Sequence, residues 1–196
     1  MGRWEPDASG RLRTAAMELY VERGFEQTTV ADIAGRAGLT ARTFFRYFAD
    51  KREVLFAGSA SLQGALVAAL EGAPDAASPM EAIVAALDAA AALLGDGRDF
   101  SRRRQAVIAA NAELRERELI KMAALSAALA DGLRRRGVPS PDATLAAEAG
   151  VVIFRVAFER WVTDPGKRDL SQVMRESLDQ LKALTAAARC SFHGPS

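Results

Sequence analysis

Residues 24–55 read GFEQTTVADIAGRAGLTARTFFRYFADKREVL and contain two short helix patterns joined by a tight turn. Thr29 and Asp32 have the spacing of a capping box, with Asp at the place usually taken by Glu or Gln. Gly38 lies in the turn, and Thr40 is a favourable N-cap for the second helix. Two helices joined in this way predict a helix-turn-helix, whose second helix enters the major groove of DNA.

Helical spacing separates the four aromatic residues of the second helix into two pairs. Phe44 and Phe48 are four residues apart and therefore share one face. We expect that face to pack against the two preceding helices, which leaves Phe45 and Tyr47 for the surface. The crowding of rings is then explained by one buried side and one exposed side.

Positive charge is concentrated around the same helix. Residues 36–52 hold five cations and one anion, a local net charge of +4, although the whole chain carries only +1. Such a patch supplies phosphate contacts, which give affinity without sequence information. A core helix with a solvated charged face is the alternative explanation, but turn, spacing and charge together favour DNA binding. The five cations are Arg36, Arg42, Arg46, Lys51 and Arg52.

The exposed side of the second helix carries groups suited to different parts of DNA. The Arg42 guanidinium can pair with a guanine edge, and Phe45 can touch a thymine methyl group or brace a sugar. The Thr43 and Tyr47 hydroxyls can donate to phosphate oxygens. The predicted DNA-binding residues are Thr29, Thr40, Ala41, Arg42, Thr43, Phe45, Tyr47 and Lys51.

The remainder of the chain is rich in good helix formers, and no segment alternates apolar and polar residues over the length of a strand. We therefore predict an all-α protein. A first helix is expected over 8–23, and a long fourth helix is expected after Asp50. Loops are expected at 71–79 and 95–101, with later helices near 102–112, 114–136, 141–163 and 170–187. The predicted organisation is an N-terminal three-helix helix-turn-helix domain at 1–56, a C-terminal helical effector-binding and dimerisation domain at 57–190, and a disordered tail at 191–196.

Several classes of protein lack support in this sequence. The 196 residues include one cysteine, Cys190, and one histidine, His193, so no internal disulfide, His-based triad or His/Cys metal cluster can be assembled. The phosphate-binding glycine motifs are absent. The first residues lack the apolar centre of a signal peptide, and no uninterrupted apolar run reaches about 18 residues. We expect a cytoplasmic protein that is not an enzyme and has no metal, cofactor or membrane partner.

The helix expected over 141–163 is apolar almost all round its middle. The core of the chain can cover one side, so the other side requires a partner subunit. The helix expected over 170–187 has an apolar stripe of its own. We expect these two helices and their symmetry mates to form a four-helix homodimer interface, in which Gly150 permits close approach. The predicted interface residues are Val152, Val156, Val173 and Leu181.

Candidate effector contacts lie on three of the predicted helices. Arg104, Ile108 and Asn111 share a face at helical spacing, and Met122 and Ser126 share another. A filled core, a helix-end Asn and a solvated Arg are the alternatives, and we favour them residue by residue. The candidate set is Arg104, Ile108, Asn111, Met122, Ser126, Phe154 and Phe158.

Residues 24–55 resemble the DNA-binding domain of TetR/AcrR-type bacterial transcriptional regulators. The likeness covers residues 11–56 and fills the Ile-Ala, Ala-Gly, Thr and aromatic-Phe positions at 33–34, 37–38, 43 and 47–48. Two positions depart from the family's pattern, since Arg42 stands where Gly is commonest and Tyr47 where His is frequent. Both departures bear on the operator sequence rather than on DNA binding.

The resemblance implies a three-helix DNA reader that a fourth helix links to a variable helical domain, which dimerises and binds a small effector. Residues 102–139 and 146–164 more weakly resemble a subgroup with acyl-CoA-like or other apolar effectors. The implied function is that of a ligand-responsive dimeric repressor, released from double-stranded operator DNA by a small apolar effector. The alternative is a DNA-binding regulator without a small-molecule effector, controlled by a protein partner or by its abundance.

Overall fold

A computed structural model describes residues 7–166 and 168–190 of the chain, with side chains as far as 186. Within these ranges it consists of ten α-helices and one short 3₁₀ turn and has no strand, which confirms the all-α prediction. The helices divide into two compact units. One holds the residues up to 60 together with Phe100–Leu119, and the other holds Ser61–Asp99 and the residues from 120 onward.

The first three helices begin and end where the sequence places their caps. Helix α1 spans Ala8–Arg23 and ends at Gly24, whose φ of 88° lies in the region that favours glycine. Helix α2 spans Val30–Arg36 and helix α3 spans Ala41–Tyr47, each behind a threonine whose side chain caps it. These bounds confirm the helix-turn-helix pattern that the sequence predicts.

The long helix expected after Asp50 is two helices. Helix α4 spans Glu53–Phe56 and helix α5 spans Ser59–Glu71, with a turn at 57–58 between them. Glycine at position 58 lowers helix propensity at this break. Asp50 does cap the start of α4, because its carboxylate accepts from the backbone N–H groups of Arg52 and Glu53 at 2.8 and 3.1 Å.

Five longer helices follow. The loop predicted at 95–101 is wrong, since a 3₁₀ turn at Gly95–Gly97 leads directly into the next helix. The prediction for 191–196 falls outside the described residues. The bounds are Pro79–Leu94 for α6, Arg98–Ala109 for α7, Ala112–Arg135 for α8, Ser140–Thr163 for α9 and Leu170–Cys190 for α10.

Each unit has a hydrophobic core of its own. In the first unit Leu12, Ile33 and Phe44 are fully buried in one cluster. Ile108 of α7 and Leu114 of α8 are fully buried in the same cluster. The sequence-based division assigned these two residues to the second domain, whereas their burial places residues 100–119 in the first unit.

The second unit is organised around α9, which packs against α6 and α10. Ala147 and Ala157 of α9 are fully buried in its core. A Cβ atom added at Gly150 would lie only 2.7 Å from Cγ2 of Ile83, so glycine allows α6 and α9 to approach closely. The close approach predicted for Gly150 is therefore made within the chain and not across a dimer interface.

One segment, Glu53–Glu71, meets by length and composition alone the criterion for a helix that could cross a membrane, with a mean hydropathy of 1.4. It comprises α4, α5 and the turn between them. Val54 and Leu55 are buried in the core of the first unit, and Leu66 and Leu70 in the core of the second. Only 28% of the apolar window within this segment is buried.

Candidate DNA-binding surface

The turn between α2 and α3 is fixed by its backbone. Gly38 has a φ of 66°, a left-handed conformation that favours glycine. The N–H of Leu39 donates to the carbonyl of Ala34 at 2.8 Å and closes the turn. Ile33 and Phe44, one from each helix, are fully buried in the same core. Short-range hydrogen bonds and a shared core thus hold the two helices as a unit.

Helix α3 has one buried and one exposed side, as its spacing predicts. Phe44 is fully buried and Phe48 nearly so. Phe45 and Tyr47 are 58% and 43% exposed, although large aromatic side chains are usually well covered. Two exposed rings on a helix of seven residues form a surface suited to contact with another molecule.

Three of the predicted DNA contacts use their hydroxyl groups inside the protein. The Thr29 hydroxyl donates to the Asp32 carboxylate at 2.6 Å and accepts from the Asp32 backbone N–H at 3.1 Å. This hydrogen bonding lowers the pKa of Asp32. Thr40 Oγ1 lies 3.0 Å from Thr43 Oγ1 and also accepts from the Thr43 backbone N–H. The three threonines fix the starts of α2 and α3, and any DNA contact from them has to share these hydrogen bonds.

Lys51 holds the segment that precedes α2. Its ammonium donates to the carbonyl oxygens of Phe25, Glu26 and Thr28 at 2.9, 3.3 and 3.0 Å. An ammonium has three donors, so these three acceptors leave none for a phosphate. Lys51 thus acts as an intramolecular clamp, and the DNA contact predicted for it stays a prediction.

Two cations of the basic patch are neutralised by carboxylates. Arg36 pairs with Glu22 at 2.9 Å and with Glu18 at 3.4 Å. Arg52 pairs with Asp50 at 2.6 Å, and this contact is the main reason why the pKa of Asp50 is lowered. The charge that the patch presents outward is thus smaller than the sequence indicates.

Arg42 and Arg46 are the cations that α3 presents outward, and both are exposed. Across the described ranges Arg42 has no hydrogen-bond or ion-pair partner. The guanidinium of Arg46 lies over the Tyr47 ring, 5.0 Å from its centroid. We call the exposed surface of this helix the α3 face, which comprises Ala41, Arg42, Phe45, Arg46 and Tyr47.

Helix α4 and its first flanking residue are held against α8 by ion pairs that no sequence motif indicates. Arg117 donates to the Glu53 carboxylate at 2.7 Å, and Arg52 pairs with Glu113. These pairs join residues 64 and 61 positions apart, so helical spacing gives no signal for them.

Arg104 belongs to the same set of clamps. Its Nε donates to the carbonyl of Leu55 at 2.7 Å, and its Nη1 pairs with Glu118 at 3.2 Å. Its guanidinium lies 5.0 Å from the centroid of the Phe56 ring. Burial lowers the pKa of Arg104, and the Glu118 carboxylate opposes that shift. Arg104 is thus half-buried against α4, and the effector contact predicted for it stays a prediction.

The other predicted effector contacts do not form one pocket. Ile108 is fully buried in the first core, and Asn111 donates its side-chain N–H to the carbonyl of Val107 at 2.7 Å, at a helix end. For both residues the structural alternative explains the side chain. The remaining four candidates lie in the second unit, and they are Met122, Ser126, Phe154 and Phe158.

The four candidates of the second unit belong to or flank its core. Phe154 is buried and stacks on Phe158, with ring centroids 5.8 Å apart. Met122 is half-buried against the same core. The Ser126 hydroxyl donates to the Glu148 carboxylate at 2.7 Å. Each of these side chains thus has packing or hydrogen-bond partners within the second unit.

A polar cleft of about 730 Å³ opens elsewhere in the second unit, beside the 3₁₀ turn. None of the predicted effector contacts lines it. Arg98, one of its cations, donates to the carbonyl oxygens of Asp164 and Gly166. Half of its lining residues are charged, and these are Asp88, Asp96, Arg98, Arg168, Asp169 and Arg175.

The outer side of α9 carries an apolar stripe. Val152 and Val156 are 43% and 39% exposed, and Leu145 is 72% exposed. Val173 of α10, in contrast, is fully buried in the core of its own chain, so its predicted place in a dimer interface is corrected. Leu181 is half-buried.

Comparison with known proteins covers both parts of the chain. Residues 12–57 match the bacterial regulatory proteins of the tetR family, and residues 77–186 match the MftR C-terminal domain. Over 87 residues the chain is 39% identical to the HTH-type transcriptional regulator TcmR of Streptomyces glaucescens, a stretch covering 44% of this chain and 38% of TcmR. Over 65 residues it is 35% identical to the uncharacterized HTH-type transcriptional regulator YvkB of Bacillus subtilis, covering 32% of this chain and 34% of YvkB. The matched stretches thus span well under half the length of these relatives.

A solved structure extends the likeness to both units. Thermus thermophilus FadR, a TetR family transcriptional repressor in complex with lauroyl-CoA, is 26% identical, covers 88% of this chain and 92% of its own, and gives a TM-score of 0.55. The matched families and relatives are transcriptional regulators and not enzymes. The C-terminal family match alone covers more than half of the 196 residues. With a formed helix-turn-helix at one end and this match over the other, the chain belongs to the TetR family of bacterial transcriptional regulators.

Proposed function

We propose that this chain is a dimeric repressor that binds double-stranded operator DNA through the α3 face and is released by a small apolar effector. The exposure of Phe45 and Tyr47 beside two outward cations is the observation that carries the DNA contact. The face supplies a guanidinium for a base edge, apolar surface for a thymine methyl group, and donors for phosphate oxygens. We place the protein in the cytoplasm, together with the DNA that it binds.

A homodimer is supported by the outer side of α9. Leu145, Val152 and Val156 follow one another at intervals of seven and four residues and therefore form a single stripe. Leu184 adds exposed apolar surface on α10. A symmetry mate would cover these side chains in a four-helix interface. Two-fold symmetry would then present two α3 faces to half-sites about 34 Å apart or a multiple of that distance.

An acyl-CoA-like effector is supported by the likeness to Thermus FadR, whose structure contains lauroyl-CoA. In the present conformation Phe154 is buried in the core of the second unit and stacks on the half-buried Phe158. An acyl chain would therefore have to displace side chains such as these and take their place among apolar neighbours. Residues displaced in this way couple ligand binding to the arrangement of the helices.

Control by a protein partner or by abundance is the second candidate. The packed core of the second unit supports it, because Leu129, Leu133 and Ile153 are fully or almost fully buried there. A regulator of this kind needs the α3 face and the dimer but no internal ligand.

One experiment separates the two candidates. A duplex selected by the protein from a randomised library is labelled, and its binding is measured by fluorescence anisotropy with lauroyl-CoA or with coenzyme A alone. Loss of the DNA complex with lauroyl-CoA only would support release by an apolar effector. A complex that survives both additions, in a protein that sediments as a dimer, would favour the second candidate. A protein that selects no duplex would overturn the proposed DNA binding.

A further inference from the structure

Arg46 and Tyr47 are joined in two ways on the α3 face. Nη2 of Arg46 donates to the hydroxyl oxygen of Tyr47 at 3.2 Å. The guanidinium of Arg46 also lies over the Tyr47 ring, within the range of a cation–π contact. Both side chains remain exposed, so the contact orders two outward-facing groups relative to each other.

The hydrogen bond decides which role the Tyr47 hydroxyl can take. A phenol has one O–H donor and an oxygen that accepts, whereas a guanidinium has five N–H donors and no acceptor. Because Arg46 occupies the Tyr47 oxygen as acceptor, the O–H of Tyr47 has to donate elsewhere. Arg46 uses one N–H donor in this hydrogen bond, and its other four N–H groups remain for other acceptors. The pair therefore presents only donors and one positive charge.

We infer that Arg46 and Tyr47 act as one donor unit that binds an acceptor group on DNA, with Arg46 both orienting the Tyr47 ring and binding the same group. The inference rests on the proposed DNA binding of the α3 face. Phosphate oxygens have this chemistry, and so does the O6 and N7 edge of guanine. The adenine edge offers a donor beside its acceptor and matches a donor-only unit less well. Arg46 thus joins Arg42 as a determinant of operator binding.

A double-mutant cycle on the selected duplex tests the unit. Arg46→Ala and Tyr47→Phe are each expected to weaken binding about tenfold, because each removes a donor from a charge-assisted contact. The double variant is expected to bind about as weakly as Arg46→Ala alone, since Tyr47 is no longer oriented without its partner. If the two residues acted independently, their losses of affinity would multiply, and the double variant would bind about a hundredfold more weakly than the wild type. That outcome would overturn the inference.

Two further variants sharpen the result. Arg46→Lys keeps the positive charge but loses the planar guanidinium, which stacks on the Tyr47 ring and can donate two parallel hydrogen bonds. Its DNA affinity is therefore expected to resemble that of Arg46→Ala. Wild-type affinity in Arg46→Lys would show that charge alone acts and would also overturn the unit. Arg115→Ala, at an exposed position of α8, is the matched control and is expected to bind as the wild type does. Equal thermal unfolding temperatures show that the exposed substitutions leave the fold intact.

Salt dependence identifies the acceptor. If it is a phosphate, Arg46→Ala lowers the slope of log affinity against log salt concentration by about 0.9 and weakens a scrambled duplex equally. If the acceptor is guanine, Arg46→Ala keeps the wild-type slope of log affinity against log salt concentration. The variant then discriminates less between bases at one base pair of the duplex. Failure of the wild type to bind DNA would count against the proposed function. If the wild type binds DNA but the effects of Arg46→Ala and Tyr47→Phe are independent, only the Arg46–Tyr47 unit is contradicted.

Discussion

The ammonium nitrogen of Lys51 lies 2.9 Å from the carbonyl oxygen of Phe25 and 4.3 Å from the centroid of the same residue's ring. The Tyr20 hydroxyl donates to the carbonyl of Lys51 at 2.6 Å, and its ring packs edge-on against that of Phe25. Burial raises the pKa of this phenol, so Tyr20 stays a donor at neutral pH. Three residues from separate segments thus close a ring of contacts that ties the start of α4 to the connection between α1 and α2.

The first prediction concerns the stability that this clamp provides. Lys51→Met keeps the length of the side chain and its apolar stem but removes the ammonium that donates to the carbonyl oxygens of Phe25, Glu26 and Thr28, of which Phe25 keeps the Thr28 N–H as a second donor. We expect the free energy of unfolding to fall by about 2 kcal/mol, as measured by urea denaturation. Arg42→Ala, which removes an exposed cation without a partner in the described ranges, is expected to leave stability unchanged. Unchanged stability in Lys51→Met together with weaker DNA binding would return Lys51 to the DNA-binding surface.

The second prediction compares two arginines of the basic patch. Arg42→Ala is expected to weaken binding to the selected duplex by about 1–3 kcal/mol if its guanidinium contacts a base edge. Arg36→Ala is the matched control, because Glu18 and Glu22 already engage that guanidinium. We expect its DNA affinity to stay that of the wild type in an anisotropy titration at fixed salt. Equal losses in both variants would show that total charge, and not the α3 face, determines binding.

The sequence predicts those parts of this surface whose causes are local. A cap and its partner lie three residues apart, as at Thr29 and Asp32, and the two sides of α3 follow from helical spacing at Phe44 and Phe48. Both kinds of feature are decided within one or two turns of helix. The helix-turn-helix could therefore be predicted almost completely.

The parts that sequence could not predict depend on residues far apart in the chain. Counting charges over 36–52 includes Asp50, the near partner of Arg52, but misses Glu22, which pairs with Arg36 from 14 positions away, and Glu113, which pairs with Arg52 from 61 positions away. Helical spacing groups Arg104 with Ile108 as a pocket wall, whereas in the first unit Ile108 is fully buried in the core and Arg104 is half-buried with its Nε bonded to the carbonyl of Leu55. Periodicity shows which side chains share a face, and only packing shows what covers that face.

The third prediction concerns pH and the cap of α4. The Arg52 side chain, followed by the backbone N–H groups of Glu53 and Arg52, lowers the pKa of the Asp50 carboxyl. Its folded value therefore lies below the unfolded value of about 3.9, so its stabilisation is present above that pH and is lost as pH falls through the folded value. Asp50→Asn is expected to lower the free energy of unfolding by about 1 kcal/mol at neutral pH.

The difference between Asp50→Asn and the wild type should shrink as the pH falls below the unfolded value of about 3.9 and through the lowered folded pKa of Asp50. Urea denaturation of both proteins at neutral and acidic pH measures this change. A difference that stays the same over the whole range would mean that the carboxylate charge contributes nothing and that the amide merely packs less well.

The last prediction uses two helical glycines with opposite surroundings. Gly64 of α5 is exposed, and a Cβ atom added there would meet nothing within 4 Å. Gly64→Ala is expected to raise the free energy of unfolding by about 0.5–1 kcal/mol through helix propensity. The methyl group of Gly150→Ala would lie 2.7 Å from Cγ2 of Ile83, so α6 and α9 would have to move apart. We expect a loss of about 1–3 kcal/mol.

The contact between Gly150 and Ile83 can be tested by a double-mutant cycle in urea. Ile83→Ala alone leaves a cavity in the core of the second unit and is expected to destabilise by about 2–5 kcal/mol. Gly150→Ala should cost much less in that background, because the new methyl group can occupy part of the vacated volume. Additive losses would contradict the close approach of α6 and α9 at this point, since a steric conflict disappears when either partner is made small.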